Sequence, residues 1–143
     1  MLRKKALWVA PLTETVTVAR VDTIVDRGDV PIPTLIKVDV EGAEARLLRG
    51  AAGTLVKYAP NLVIELHGPE VARDVVKFLL EIGYHIFGYL DLNGNQSYKE
   101  IKAADIGAIT GPHSLHRCVA GRNRELIETH SDYISVNHPN KQA

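Results

Sequence analysis

The chain has 143 residues, enough for one domain with a modest core. Hydrophobic residues make up 45% and charged residues 24%, a globular balance that excludes a disordered chain. Seventeen Lys and Arg meet seventeen Asp and Glu. No basic surplus is left for a phosphate backbone, so a nucleic-acid partner is not expected.

Arg3-Lys4-Lys5 followed by Ala6-Leu7-Trp8-Val9-Ala10 has the outline of a secretory leader. The apolar run stops at Pro11, is short for a leader, and meets no clear cleavage site. No stretch has the length of a bilayer span. We therefore expect a cytoplasmic protein without a membrane partner. The single cysteine, Cys118, excludes an internal disulfide framework and suits a reducing compartment. It reads as a small buried strand residue.

Thr15 to Ala19 is a short β-prone run, and Val21 to Val25 reads as a turn or short helix. Gly28, Pro31 and Pro33 mark a loop. Leu35 to Val40 follows as a strand with apolar residues on both faces, the pattern of a buried parallel strand. Ala43 to Tyr58 has a helical stripe at Leu47, Ala51, Leu55 and Tyr58. Gly50 and Gly53 lie inside that helix and suit close packing on a sheet. Leu62 to Leu66 is a second buried strand. Pro69 opens another helix, with Val71, Val75, Phe78 or Leu79, and Ile82 on its apolar face and Gly83 at its end. His85 to Leu90 is a third strand, and residues 93–95 form a turn. Ile106 to Ile109 is a fourth short strand or a loop, His116 to Ala120 an antiparallel edge, and the chain from Arg122 a polar, partly loose tail. Strands alternating with helices imply an α/β fold with a parallel sheet and right-handed crossovers. Residues 1–34 lead into the fold, 35–121 form the domain, and 122–143 form the tail.

In such sheets ligands bind beyond the carboxyl ends of the strands. Asp39, Glu41 and Glu44 follow the first buried strand; Glu65 and His67 end the second. Neighbouring parallel strands would bring these groups to one rim. Asp39 is the sharpest candidate, because a carboxylate ending an apolar strand is costly to bury unpaired. Glu41 and Glu44 read equally as acids at the positive end of a helix. His67 is either a general base, with an unperturbed pKa near neutrality, or a satisfied loop histidine. Lys37 snorkels to the rim or pairs with a carboxylate.

The run Ile36-Lys37-Val38-Asp39-Val40-Glu41-Gly42-Ala43-Glu44, with Leu48-Arg49-Gly50-Ala51 after it, resembles the core motif of FkbM-type methyltransferases. Val21-Asp22 ahead of it, Pro60 through Glu65 and His67 after it, and Gly83-Tyr84 later keep the family order. The resemblance spans roughly residues 16 to 90. It implies the C-terminal half of a Rossmann-like, class I methyltransferase sheet, with flanking helices and an antiparallel last strand. It also implies S-adenosylmethionine as cofactor and O-methylation of a hydroxyl on a small-molecule or glycan acceptor. Asp39, Glu65 and His67 would be catalytic, and Asp39 with Glu41 would face the cofactor. The family's glycine-rich turn does not occur here. About 35 residues precede the motif, too few for three strands and their helices. The expectation is an incomplete fold whose Leu35–Val40 edge pairs with a second copy.

Two other readings stand beside the enzyme. One is a non-catalytic remnant acting as an interaction module through the sheet edge. The other is a hydrolase using Asp39, Glu41, Glu65 and His67 as ligands for Mg²⁺ or Mn²⁺. No second histidine sits beside that set, so the sequence assigns no metal site.

Overall fold

The computed structural model describes residues 15–92, 95–111 and 114–129. Five strands form one sheet: β1 (Leu35–Val38), β2 (Asn61–Glu65), β3 (His85–Leu92), β4 (Asn95–Glu100) and β5 (Leu115–Gly121). Their spatial order is β1-β2-β5-β3-β4. β1 and β2 are parallel, with Val38 opposite Ile64. β5 runs antiparallel to both β2 and β3, so β1, β2 and β3 point the same way. The α/β class agrees with the alternation of strands and helices, but the sheet is mixed: only β1 and β2 pair in parallel, and the other three pairings are antiparallel. The expectation of an antiparallel edge at His116 to Ala120 is corrected in its position. β5 is interior, with Cys118 and Ala120 fully buried.

The helices are α1 (Val21–Asp26), α2 (Glu44–Arg49), α3 (Ala52–Tyr58), α4 (Pro69–Glu81) and α5 (Arg124–Thr129). The main core lies on one sheet face. Val38, Leu62, Ile64, Ile86 and Cys118 from strands meet Leu48, Leu55, Val75 and Leu79 from α2, α3 and α4. On the opposite face Ile127 of α5 packs with Phe87 and Val119, flanked by Val63 and Tyr98. β2 alternates accordingly: Leu62 and Ile64 face the main core, while Asn61, Val63 and Glu65 face the other side.

α4 follows its sequence pattern. Pro69 occupies its first turn, and Ala72, Val75, Val76 and Leu79 are its buried positions. Gly83 at φ +81° lets the Tyr84 N–H return to the Leu79 carbonyl at 2.9 Å. Tyr84 is buried beyond it and donates its hydroxyl to the carbonyls of Leu55 (3.2 Å) and Pro60 (3.0 Å).

Several elements differ from the expectations. Ala43 to Tyr58 is two helices, broken at Gly50-Ala51. Asp22 makes the break: its N–H takes the Gly50 carbonyl at 3.0 Å. Its carboxylate accepts the amides of Gly53 (3.1 Å) and Thr54 (2.8 Å). Those are the orphan donors of α3, so a residue 32 positions away replaces the missing cap. Gly53 thus approaches Asp22 rather than the sheet. Thr15 to Ala19 is exposed and forms no strand. Asn95 begins β4, which pairs with β3 as a hairpin; residues 93 and 94 of the expected turn lie outside the described residues. Residues 103–108 form a 3₁₀ turn rather than a strand. The chain after Arg122 includes α5, anchored by Ile127. Among the described residues no helix is long and apolar enough to cross a membrane.

Candidate functional site

The carboxyl ends of β1 and β2 adjoin the start of β5, and the polar groups gather at this rim. β1 stops at Val38, so Asp39 is exposed rather than embedded in a strand. The cost of burial inferred from the sequence does not apply to it. Its Oδ2 accepts from Lys37 Nζ at 3.1 Å, the pairing expected of that lysine.

Glu41 and Gly42 then turn the chain at φ +48° and +96°. The second value favours glycine, because a side chain there meets its own backbone. Glu41 therefore does not continue Asp39's extended side. The turn starts α2 at Glu44, whose side chain is fully buried. Glu44 Oε1 accepts the Gly42 N–H at 3.0 Å and lies 2.7 Å from His67 Nδ1. Glu44 stands in the first turn of α2, where an acid was expected, but α2 has no side-chain cap hydrogen bond; the same oxygen that accepts the Gly42 N–H also holds the imidazole.

From the other strand, Glu65 faces Arg117 across the β2–β5 ladder, with Oε1 3.3 Å from the guanidinium. The next amide, Leu66 N–H, bonds the His116 carbonyl at 2.7 Å. This fixes the backbone before His67. Gly68, at φ +108°, then turns the chain into α4.

With Nδ1 held by Glu44, His67 directs Nε2 at the open rim, 3.5 Å from Glu41 Oε2 and 4.0 Å from Asp39 Oδ1. The His116 ring lies edge-on at 6.1 Å. The Glu44 hydrogen bond raises the His67 pKa above its ordinary value; desolvation opposes this, while the Glu41, Glu44 and Asp39 charges add to it. Burial alone would raise the pKa of Glu44, but the Gly42 amide and His67 outweigh it and hold the carboxyl low. Asp39, Glu65 and His67 each offer a ligand atom, all within 4.8 Å of one another.

Asp39, Glu41, Glu44, Glu65 and His67, the five residues the sequence placed beyond the strand ends, thus belong to this rim. Arg117 joins them. The acid two residues after Gly42 was the available sign of Glu44's place. Arg117 gave none, because its role depends on which strand lies beside β2. Cys118, next to Arg117 in β5, lies in the main core: it is fully buried, and desolvation pushes its thiol pKa up to about 12.

Beside the rim is a cleft of about 410 Å³, lined by Val18, Val21, Val40, Ala43, Arg46 and Leu47 among others. Val40 and Ala43 flank the Glu41-Gly42 turn, so cleft and rim share a wall.

The family model described as the methyltransferase FkbM domain matches residues 12–86. The chain belongs to the FkbM methyltransferase family. The match covers β1, β2, the turns after them and every residue of the rim except those from β5. A hexuronic acid methyltransferase, AglP of Haloferax volcanii, is 38% identical over 60 residues. That stretch is 42% of this chain and 25% of AglP, so the chain aligns with about a quarter of this relative's length. No solved structure matches the chain. Within the FkbM domain, the Asp39–Gly42 turn and the Glu65–Gly68 segment are the two pieces that bring carboxylates and imidazole together.

Proposed function

We propose that this FkbM domain serves S-adenosylmethionine-dependent O-methyl transfer to a hydroxyl of a small-molecule or glycan acceptor. The observation carrying this reading is the convergence of Asp39, Glu65 and His67 at the carboxyl rim of parallel strands, with His67 oriented by buried Glu44. Rims of this kind hold ligands in open α/β sheets. The shared direction of β1, β2 and β3, with β5 reversed among them, supports a Rossmann-like ancestry.

When bound, S-adenosylmethionine supplies a methyl group on a cationic sulfur. The carboxylates of Asp39 and Glu41 suit a positive centre beside them, and the adjoining cleft offers apolar walls to a larger ligand body. The chain's own residues have two tasks. One is to align the acceptor oxygen, since methyl transfer is an in-line displacement. The other is to receive the hydroxyl proton, for which Nε2 of His67 and the Asp39 and Glu65 carboxylates are the available acceptors. A cytoplasmic setting belongs to the same reading, with Cys118 a buried free thiol.

The test is transfer of labelled methyl from S-adenosylmethionine to a panel of sugars and sugar acids. Incorporation that is lost in Asp39→Asn and His67→Ala supports the reading. Incorporation unaffected by both substitutions rejects it.

An association role has its own support. Among the described residues β1 is the end strand of the sheet, and Leu35 on it is 59% exposed. Val16, Val18, Val30 and Ile32, in the segment leading into β1, are also exposed. An open strand edge beside apolar surface is a template for pairing. We propose self-association of the chain through this edge.

A further inference from the structure

We propose that the rim binds a hard divalent cation, Mg²⁺ or Mn²⁺, on Asp39, Glu65 and His67 Nε2. The sequence offers Asp39, Glu41, Glu65 and His67 as ligands but assigns no metal, because no second histidine stands beside them in the chain. The fold supplies what was missing.

The first observation is spacing. The three ligand atoms lie within 4.8 Å of one another. Neighbouring ligands about 2.2 Å from a shared octahedral metal stand about 3.1 Å apart, and only an opposed pair reaches about 4.4 Å. The three groups must therefore close by roughly 1 Å or more around an ion. Asp39 sits on an exposed turn, 4.0 Å from Nε2, and its side chain is free to swing inward.

The second is the group behind the imidazole. Metal-bound histidines characteristically give their other ring nitrogen to a carboxylate, which fixes the tautomer and aims the free lone pair. Glu44 occupies that position, 2.7 Å from Nδ1. It is fully buried, and its Oε2 accepts no hydrogen bond from any described residue. A buried carboxylate with one oxygen unsatisfied is costly unless positive charge lies nearby. A cation on the far side of the ring would provide it.

The third is charge. Asp39, Glu41, Glu44 and Glu65 surround His67 with four carboxylates. Lys37 pairs with Asp39 through Oδ2, and Arg117 pairs with Glu65 through Oε1. Two negative charges remain, and a divalent ion balances them. Glu41, 86% exposed and 3.5 Å from Nε2, is placed to join as an outer ligand or through water.

A cation here would polarise an acceptor oxygen at the rim and occupy Nε2, so in the cation-bound rim the hydroxyl proton would pass to a carboxylate oxygen and not to His67. That consequence rests on the methyl-transfer reading, whereas cation binding itself does not. The experiment therefore omits both S-adenosylmethionine and acceptor. The full chain is titrated with MnCl₂, free Mn²⁺ is followed by electron paramagnetic resonance, and MgCl₂ serves as competitor. We expect one saturable site per chain, abolished in Asp39→Asn and His67→Ala and weakened about 10–100-fold in Glu44→Gln. Folding of each variant is checked by circular dichroism. In the unsubstituted chain, substoichiometric Mn²⁺ should broaden the ring signals of His67 and spare those of His85, which starts β3 at the opposite rim. Absence of saturable binding below about 1 mM would overturn the proposal. So would binding that persists in both ligand variants, or broadening that spares His67.

Discussion

Glu44 and His67 are 23 residues apart in the chain and 2.7 Å apart in the fold. One starts α2 after β1; the other follows β2. Parallel pairing of the two strands places one beside the other. The contact is buried on the Glu44 side and open on the His67 side, so it turns a core carboxylate into support for a surface imidazole. Replacing Glu44 with Ala strands His67 Nδ1 and the Gly42 N–H together. We expect a loss of about 1–3 kcal/mol in urea denaturation. Glu44→Gln should recover much of that stability while the His67 pKa falls back toward 6.5, because the Glu44 bond is the leading cause of its rise. An unchanged His67 titration by NMR in Glu44→Gln would show that the contact does not form.

His67→Gln removes the aimed imidazole and retains a polar side chain of similar reach. If the rim handles the acceptor proton, methyl transfer should fall by about 10²–10⁴-fold, mainly in kcat. Steady-state kinetics with a responsive acceptor would measure it. A change confined to KM would reassign His67 to acceptor binding.

The part of this architecture legible in the sequence is the part written in local pattern. Leu62 and Ile64 mark β2, and Val75, Leu79 and Gly83 mark the face and end of α4; all stand where the local pattern placed them. Asp39, Glu41, Glu65 and His67 reached one rim because β1 and β2 are parallel neighbours. Glu44 looked like an ordinary first-turn acid, because its partner is decided by strand pairing and not by its own neighbours. Arg117 was invisible for the same reason: nothing in Leu115 to Gly121 says that this strand enters between β2 and β3. The break between α2 and α3 was equally hidden. Ala51 carries no capping side chain, and the substitute comes from α1.

That substitute gives a further expectation. Asp22 accepts from the Gly53 and Thr54 amides and from Thr54 Oγ1, the last at 2.8 Å. Asp22→Ala should cost about 1–2 kcal/mol, in the range of lost helix caps. The effect depends on pH in a definite direction. Burial would raise the Asp22 pKa, but the Thr54 and Gly53 donors, with Arg20, hold it below its ordinary 3.8. A folded-state pKa below the unfolded one stabilises the fold fully above about pH 4. The contribution disappears as pH falls through the folded value. Stability curves of the parent chain and Asp22→Ala should therefore converge in acid and separate by neutral pH. Parallel curves down to pH 2 would exclude the ionised carboxylate as the source.

The open edge of β1 supports the last prediction. Leu35 and Lys37 are exposed on this strand, while Val38 is completely buried. A charge placed at Val38 would damage the core and report nothing about association, so Leu35 is the better probe. Lys37 already puts one charge on the strand, and lysine on an edge opposes pairing with another chain. The balance between that charge and the apolar surface at Val30, Ile32 and Leu35 decides the outcome. We expect the parent chain to show a concentration-dependent increase in mass by light scattering after size exclusion. Leu35→Lys should shift it to monomer with little loss of thermal stability, because the replaced side chain is mostly in water. A parent chain that stays monomeric at high concentration would remove the association role and leave the rim as the functional feature of this fold.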